Sequence, residues 1–198
     1  MTQPSGLDDE VPLGPRQFAD LAGEVDVFVL DVHGVVLNRP WTGFLRDVGD
    51  ETGEGGEALV ERWHRDLRLP FWEGRLDEGD LWRTLAPTRT AADLRADLEE
   101  RFAPGPLFDA LRESDVAVAL LSNHRTDWLL ARLDRFRIRD RFEHIIVSDA
   151  VGAAKPSGLI FDEIHAIAAD RRVCFVDDQQ HNVEAARRIG FPARLAAP

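Results

Sequence analysis

Four short runs of apolar, largely β-branched residues punctuate the chain at wide intervals, at positions 25–30, 116–121, 145–147 and 173–176. Near-continuous apolar runs of this length suit strands buried on both faces of a parallel sheet. Three of them stop on a polar residue: Asp31, Ser122 and Asp177. Between the runs, apolar residues recur at helical spacing. Trp128, Leu129, Leu133 and Phe136 follow the second run; Ile160, Ile164, Ile167 and Ala168 follow Pro156, a residue suited to the first turn of a helix. Residues 183–189 follow the fourth run, with Gly190 as a stop. This alternation predicts a doubly wound, Rossmann-like α/β domain built on a parallel sheet. In such a sheet the ligand crevice lies at the carboxyl ends of the strands, where Asp31, Ser122, Asp177 and Asp178 fall.

The interval between the first two strands is far longer than one crossover helix requires. Within it, residues 57–67, 77–85 and 91–102 read as helices, and the Gly/Glu-rich stretch 49–56 reads as a loop. The expected organisation is therefore a flexible tail at 1–15, an α/β core at 16–37 and 105–198, and a helical cap at 38–104 lying over the crevice. Trp41, Trp63, Trp72 and Trp82 fall in that cap. They are expected to form its own core more than to line a pocket.

Composition narrows the function. A chain of 198 residues with 44% hydrophobic and 30% charged residues has the makings of a globular core. A net charge of −12 argues against a nucleic-acid partner, which calls for clustered basic groups, while leaving room for an anionic small molecule at a locally positive site. No apolar run approaches membrane-spanning length, and the opening residues lack a basic-then-apolar leader. The single cysteine, Cys174, forbids an internal disulfide and fits a reducing, cytoplasmic setting. Among 24 basic residues there is one lysine, Lys155, which reads either as drift from arginine or as a position that needs a compact ammonium rather than a planar guanidinium.

Four motifs carry the candidate chemistry, each following its own strand. Asp31-Val32-His33-Gly34 places a carboxylate at a strand end, rigidly held and suited to covalent attack. Ser122-Asn123 offers a hydroxyl and an amide as hydrogen-bond donors, with His124 and Arg125 beside them for substrate contact. Lys155 would balance charge between an attacking carboxylate and a phosphoryl group. Asp177-Asp178 pairs two carboxylates that repel unless a cation joins them, and hard oxygen donors suit Mg²⁺. His181, without a partner at ligand spacing, reads as surface. Cap arginines Arg62, Arg65, Arg68 and Arg75 are candidates for a second anionic group on the substrate, although Arg62 and Arg65 read better as a solvated helix face.

In this order the motifs resemble the haloacid-dehalogenase superfamily over residues 24–195, with the insertion similar to its helical type-1 cap. The segments LLSN, AAKP and FVDDQQHNVEAARRIG look most like the subgroup of sugar-phosphate phosphatases similar to α-glucose-1-phosphate phosphatase. The resemblance implies Asp31 as nucleophile, Ser122 and Asn123 as phosphate contacts, and Lys155 as the charge-balancing lysine. It implies Mg²⁺ held by Asp31, Asp178, Asp177 and the backbone carbonyl of His33. The expected activity is removal of phosphate from a small phosphorylated metabolite, by a monomer or homodimer. The pattern breaks at His33, where most phosphatases of the superfamily carry a second, acid–base aspartate. Either imidazole takes over that role, or the leaving group needs little protonation, or the protein binds a phosphorylated ligand without turning it over. A metal-independent dehalogenase is the lesser alternative.

Overall fold

The computed structural model describes residues 11–198. Helix α1 (Pro15–Leu21) leads into strand β1 (Val27–Leu30). The insertion follows: α2 (Trp41–Thr52), α3 (Gly56–Arg62), a π-helical turn at Trp63–Leu67, α4 (Arg68–Trp72), α5 (Glu78–Leu85) and α6 (Ala91–Glu100). The chain then returns through α7 (Phe108–Glu113), β2 (Ala117–Ser122), α8 (Thr126–Arg135), β3 (His144–Val147), α9 (Ser148–Val151), α10 (Gly158–Ala168), β4 (Val173–Asp177), α11 (Gln180–Arg188) and β5 (Ala193–Leu195). The strands form one sheet in the order β3-β2-β1-β4-β5, every pair parallel. This is the α/β fold expected from the sequence.

Alternation along the strands explains the two-faced burial. Phe28, Leu30, Val118, Leu120, Cys174 and Val176 share one apolar cluster with residues of α1, α7 and α8. Val27, Val29, Ala119, Leu121, Val173 and Phe175 share another with α10 and α11. With both faces covered, a strand has no polar side to show, which is why VFVL is buried throughout. Register does the rest. Leu30 pairs with Leu120 and Val176, and Ser122 with Val147, so β1, β2 and β4 end side by side at one edge.

The insertion carries its own cluster, in which Phe44, Leu59, Trp63, Leu81, Trp82 and Leu98 pack with Trp128 of α8. Trp82 and Trp128 stack with centroids 5.4 Å apart. Capping sets two of its helices: Asp77 accepts from the Gly79 N–H at 2.7 Å, and Thr90 from the Asp93 N–H at 3.1 Å.

Several elements depart from the sequence reading. The stretch 49–56 is not one loop, because Gly49 lies inside α2 and Gly56 opens α3. A Cβ on Gly49 would meet the Gly55 carbonyl oxygen at 2.7 Å, and one on Gly56 the Arg46 carbonyl oxygen at 2.8 Å. These glycines permit close packing of two helices rather than a flexible link. The expected tail does not extend to residue 15: Leu13 is buried and bonds to Leu195 and Ala197 beside β5, and Pro15 begins α1. Residues 1–10 of that tail lie outside the described residues. Pro156 does not start a helix; α10 begins at Gly158, capped by Ser157. Strand β5 and helices α1, α2, α4, α7 and α9 were not predicted. Among the described residues no helix is long and apolar enough to cross a membrane.

Candidate active site

The strand ends deliver the predicted polar residues to one crevice. Lys155, fully buried on the loop before α10, donates from Nζ to Asp31 Oδ1 at 3.0 Å, to Asp177 Oδ2 at 2.7 Å and to the Leu121 carbonyl at 2.7 Å. Its three ammonium protons are thus spent on β1, β4 and β2 in turn. The loop that carries it is clamped by Asn123, whose amide accepts from Lys155 N–H at 2.7 Å and donates to the Lys155 carbonyl at 2.9 Å.

One oxygen from each of Asp31, Asp177 and Asp178 lies within 4.8 Å of the other two, an arrangement able to hold a metal ion. The three are not equivalent. Asp177 accepts from Lys155, the Gln179 N–H at 2.8 Å and the Asn182 amide at 3.0 and 3.1 Å, which fills the directions a carboxylate offers. These bonds make it the anchor of Lys155, while one of its oxygens still lies in the group able to hold the ion. Asp31 keeps one oxygen uncommitted, and Asp178 is engaged by Arg39 alone apart from a long contact with Gln179. Burial, with Asp177 and Asp178 adding to it against the pull of Lys155, pushes the Asp31 carboxyl up to about 7. Gly34 is required beside these carboxylates: its φ is +87°, and a Cβ there would lie 2.1 Å from Asp178 Oδ2.

Ser122 is fully buried at the end of β2, and its Oγ has no hydrogen-bond partner. An orphaned hydroxyl among ionic groups signals a ligand that completes it. His33 and His124 meet a residue the sequence reading missed. The guanidinium of Arg132, on α8, donates from Nη1 to His33 Nε2 at 2.8 Å and to His124 Nε2 at 2.9 Å, pairs with Glu99 of α6, and lies 3.5 Å from the centroid of Phe102. Burial first, then neighbouring positive charge, holds both imidazoles well below their usual pKa. Both rings are neutral, with Nε2 as acceptor and the proton assigned to Nδ1 on that ground. His124 Nδ1 donates to the Arg125 carbonyl at 3.0 Å, so only its ring, stacked on Trp72, faces a substrate. One signal for Arg132 was present: it stands three and four residues after Leu129 and Trp128, on the apolar stripe of its helix.

A cavity of about 130 Å³ joins the two halves. The core supplies Asp31, His33, Asn123, Lys155 and Asp178; the insertion supplies Trp41, Trp63, His64, Arg68 and Trp72. His181 also reaches its rim. Arg125 does not line it, being held by Asp149 and the Leu76 carbonyl over the Phe71 ring. Arg62, Arg65 and Arg75 are paired with Glu54, Asp66 and Glu73, away from the cavity.

Residues 105–196 match the family model described as haloacid dehalogenase-like hydrolase, and this span holds the serine, lysine and paired aspartates of the crevice. The match spans just under half of the chain and supports membership of the haloacid-dehalogenase superfamily. Its fold is shared by L-2-haloacid dehalogenase from Xanthobacter autotrophicus, at 22% identity and a TM-score of 0.63 over 85% of this chain and 76% of that one. It is also shared by a superfamily enzyme from Bacteroides thetaiotaomicron in complex with magnesium and inorganic phosphate, at 20% identity and a TM-score of 0.65 over 86% and 93%. A magnesium-bound hydrolase of the superfamily from Bacillus subtilis aligns at 17% identity and a TM-score of 0.61 over 85% and 87%. The chain has no significant match among curated protein sequences. At these identities the structural likeness speaks for the fold alone, and the choice of reaction rests on the chain's own residues.

Proposed function

We propose that this hydrolase is a Mg²⁺-dependent phosphatase acting on a small phosphorylated metabolite, with Asp31 as the nucleophile. The observation that carries the reading is the cluster of three carboxylates within 4.8 Å, Asp31 and Asp177 buried and Asp178 half-buried, matched by Lys155, whose protons are committed, and by Arg39 on Asp178. Such a site is short of cations, and carboxylate oxygens are the donors a hard divalent ion takes. Asp31 and Asp178, with the carbonyl of His33, are the groups to hold it. When bound, Mg²⁺ supplies positive charge that keeps Asp31 ionised and offsets the charge of the phosphoryl oxygens.

The chain's own residues then divide the work. An Asp31 oxygen attacks phosphorus as the bond to the substrate oxygen breaks, that oxygen taking a proton from solvent; water then attacks the same phosphorus, releasing phosphate and a proton and restoring the carboxylate. Lys155 fixes Asp31 and balances its charge, while Ser122 Oγ is the free donor for a phosphoryl oxygen. His33 does not serve as a proton-loaded acid through Nε2, because Arg132 already donates to that atom. Nδ1 remains as a neutral donor toward the leaving group. The volume of the cavity, well below the ~300 Å³ of a drug-sized pocket, fits a substrate of few heavy atoms.

The test is phosphate release from a panel of small phosphate esters with Mg²⁺ or EDTA, comparing wild type with Asp31→Asn. Metal-dependent release that falls at least ~10³-fold in the variant is the expected result. Halide release from 2-chloropropionate in EDTA would reassign the chain to dehalogenation. Folded protein that binds Mg²⁺ and phosphate yet releases nothing from any ester would make it a binding protein.

A further inference from the structure

The insertion half of the cavity contains two hydrogen-bond donors without partners. Arg68, the first residue of α4, lines the cavity; its Nε is buried and unbonded, and no carboxylate among the described residues pairs with it. Trp41, the first residue of α2, lines the same cavity, and its indole Nε1 is likewise buried without a partner. The other cations of the cavity are neutralised: Lys155 by Asp31 and Asp177, Arg132 by Glu99, and Arg39 by Asp178. Arg68 is the exception among the described residues. Burying such donors unsatisfied has a cost that natural interiors seldom carry without reason.

The backbone beside Arg68 is also irregular. The helix running from Gly56 to Trp72 is interrupted by a π-helical turn at Trp63–Leu67, immediately before Arg68. Single π turns inside α-helices are rare and gather at functional sites, because the extra residue re-aims the side chains that follow. Trp41, Trp63 and Trp72 stand beside one another, with centroids 4.7, 5.5 and 5.8 Å apart, and give the cavity an apolar wall.

Resting on the phosphatase reading, we infer that the substrate is a phosphate ester carrying a carboxylate on a short carbon chain, with the carboxylate held by the Arg68 guanidinium and the Trp41 indole N–H. Two donors match the two oxygens of a carboxylate. A second phosphate would present three oxygens to the same pair. The tryptophan wall suits the carbon chain between the two anionic ends.

The experiment compares a matched pair, 3-carboxypropyl phosphate and butyl phosphate, in the full-length protein with Mg²⁺. Binding of the two corresponding phosphonates is followed alongside by calorimetry. The carboxylate is expected to raise kcat/KM and tighten phosphonate binding by roughly 10- to 100-fold, the scale of one charge-assisted hydrogen-bonded contact. Arg68→Met should bring that ratio close to one, Arg68→Lys should keep part of it, and Trp41→Phe should lower it by a smaller factor, with circular dichroism confirming the fold of each. Hydrolysis of butyl phosphate with no advantage for the carboxylate overturns this inference and leaves the phosphatase reading intact. Failure of both esters and both phosphonates overturns the two together. A ratio that survives Arg68→Met in folded protein assigns the carboxylate to another group and overturns the role of Arg68.

Discussion

The two walls of the cavity are built on opposite terms. On the core side, Lys155, Asp177 and Asn123 have their hydrogen-bonding groups largely committed to one another or to strand backbone, and the partners come from β1, β2 and β4. On the insertion side, Arg68 and Trp41 hold buried donors in reserve, on helices whose shape depends on a π turn and on a glycine-to-glycine contact. The difference teaches where fixed chemistry and variable recognition are placed. A parallel sheet holds reacting groups within a narrow range of positions, whereas an inserted helical layer presents side chains that a change of substrate can replace. Ser122 is an exception in the core, and under the phosphatase reading its orphaned hydroxyl is the donor left for the phosphate.

The contrast is broken most severely at Lys155. Removing its ammonium by Lys155→Met leaves Asp31 and Asp177 buried without a cation, and the loss of one partner from a buried ionic group costs about 3–5 kcal/mol. Urea denaturation at pH 8 should show a loss of that size, together with loss of phosphate release. A midpoint within experimental error of wild type would mean that the ionic core is not the keystone described here.

A smaller effect is expected where the walls are joined. Glu99 belongs to the insertion and Arg132 to the core, and Arg132 is fully buried. Glu99→Ala should cost about 2–3 kcal/mol, less than a fully buried pair because Glu99 keeps some exposure. Arg132→Met, which removes the positive charge beside both imidazoles, should let His33 and His124 titrate closer to their usual range, and histidine NMR would report a rise in both pKa values. Unmoved histidines in that folded variant would mean that burial alone holds them low.

The smallest effect sharpens the electrostatic argument. Because the folded-state pKa of Asp31 is raised to about 7, the folded state binds more protons than the unfolded chain between the ordinary aspartate range and pH 7. In that window the group's contribution to stability falls as pH rises. Without metal, Asp31→Asn should therefore gain on wild type by about 1–3 kcal/mol at pH 8, and the gain should shrink toward zero by about pH 4. Using the difference between the two proteins removes the opposing influence of His33 and His124, whose depressed pKa values weaken the folded state as pH falls below about 6.5. Added Mg²⁺ should stabilise wild type more than the variant. A difference that does not vary with pH would place Asp31 in a wetter or better-compensated environment.

What the sequence determined by itself was the core and its chemistry. Short apolar runs ending in polar residues mark buried parallel strands, since neither face of such a strand meets water, and the fold then brings Asp31, Ser122, Lys155 and Asp178 to one edge. Local pattern was also enough for α5, α6 and the stop at Gly190, where capping and periodicity act within a few residues. Only the tertiary structure decided how these groups pair. The saturation of Asp177, the clamp of Asn123 on the Lys155 loop and the bonds from Arg132 to two neutral histidines link residues far apart in the chain, and local patterns are blind to such contacts. The same holds for the glycines at 49 and 56, which look like a loop in sequence and serve as a packing contact in space. It holds for Arg68 as well, one of the four cap arginines that the sequence offered for a second anionic group. The surrounding structure gives the other three carboxylate partners and leaves this one facing the cavity without one.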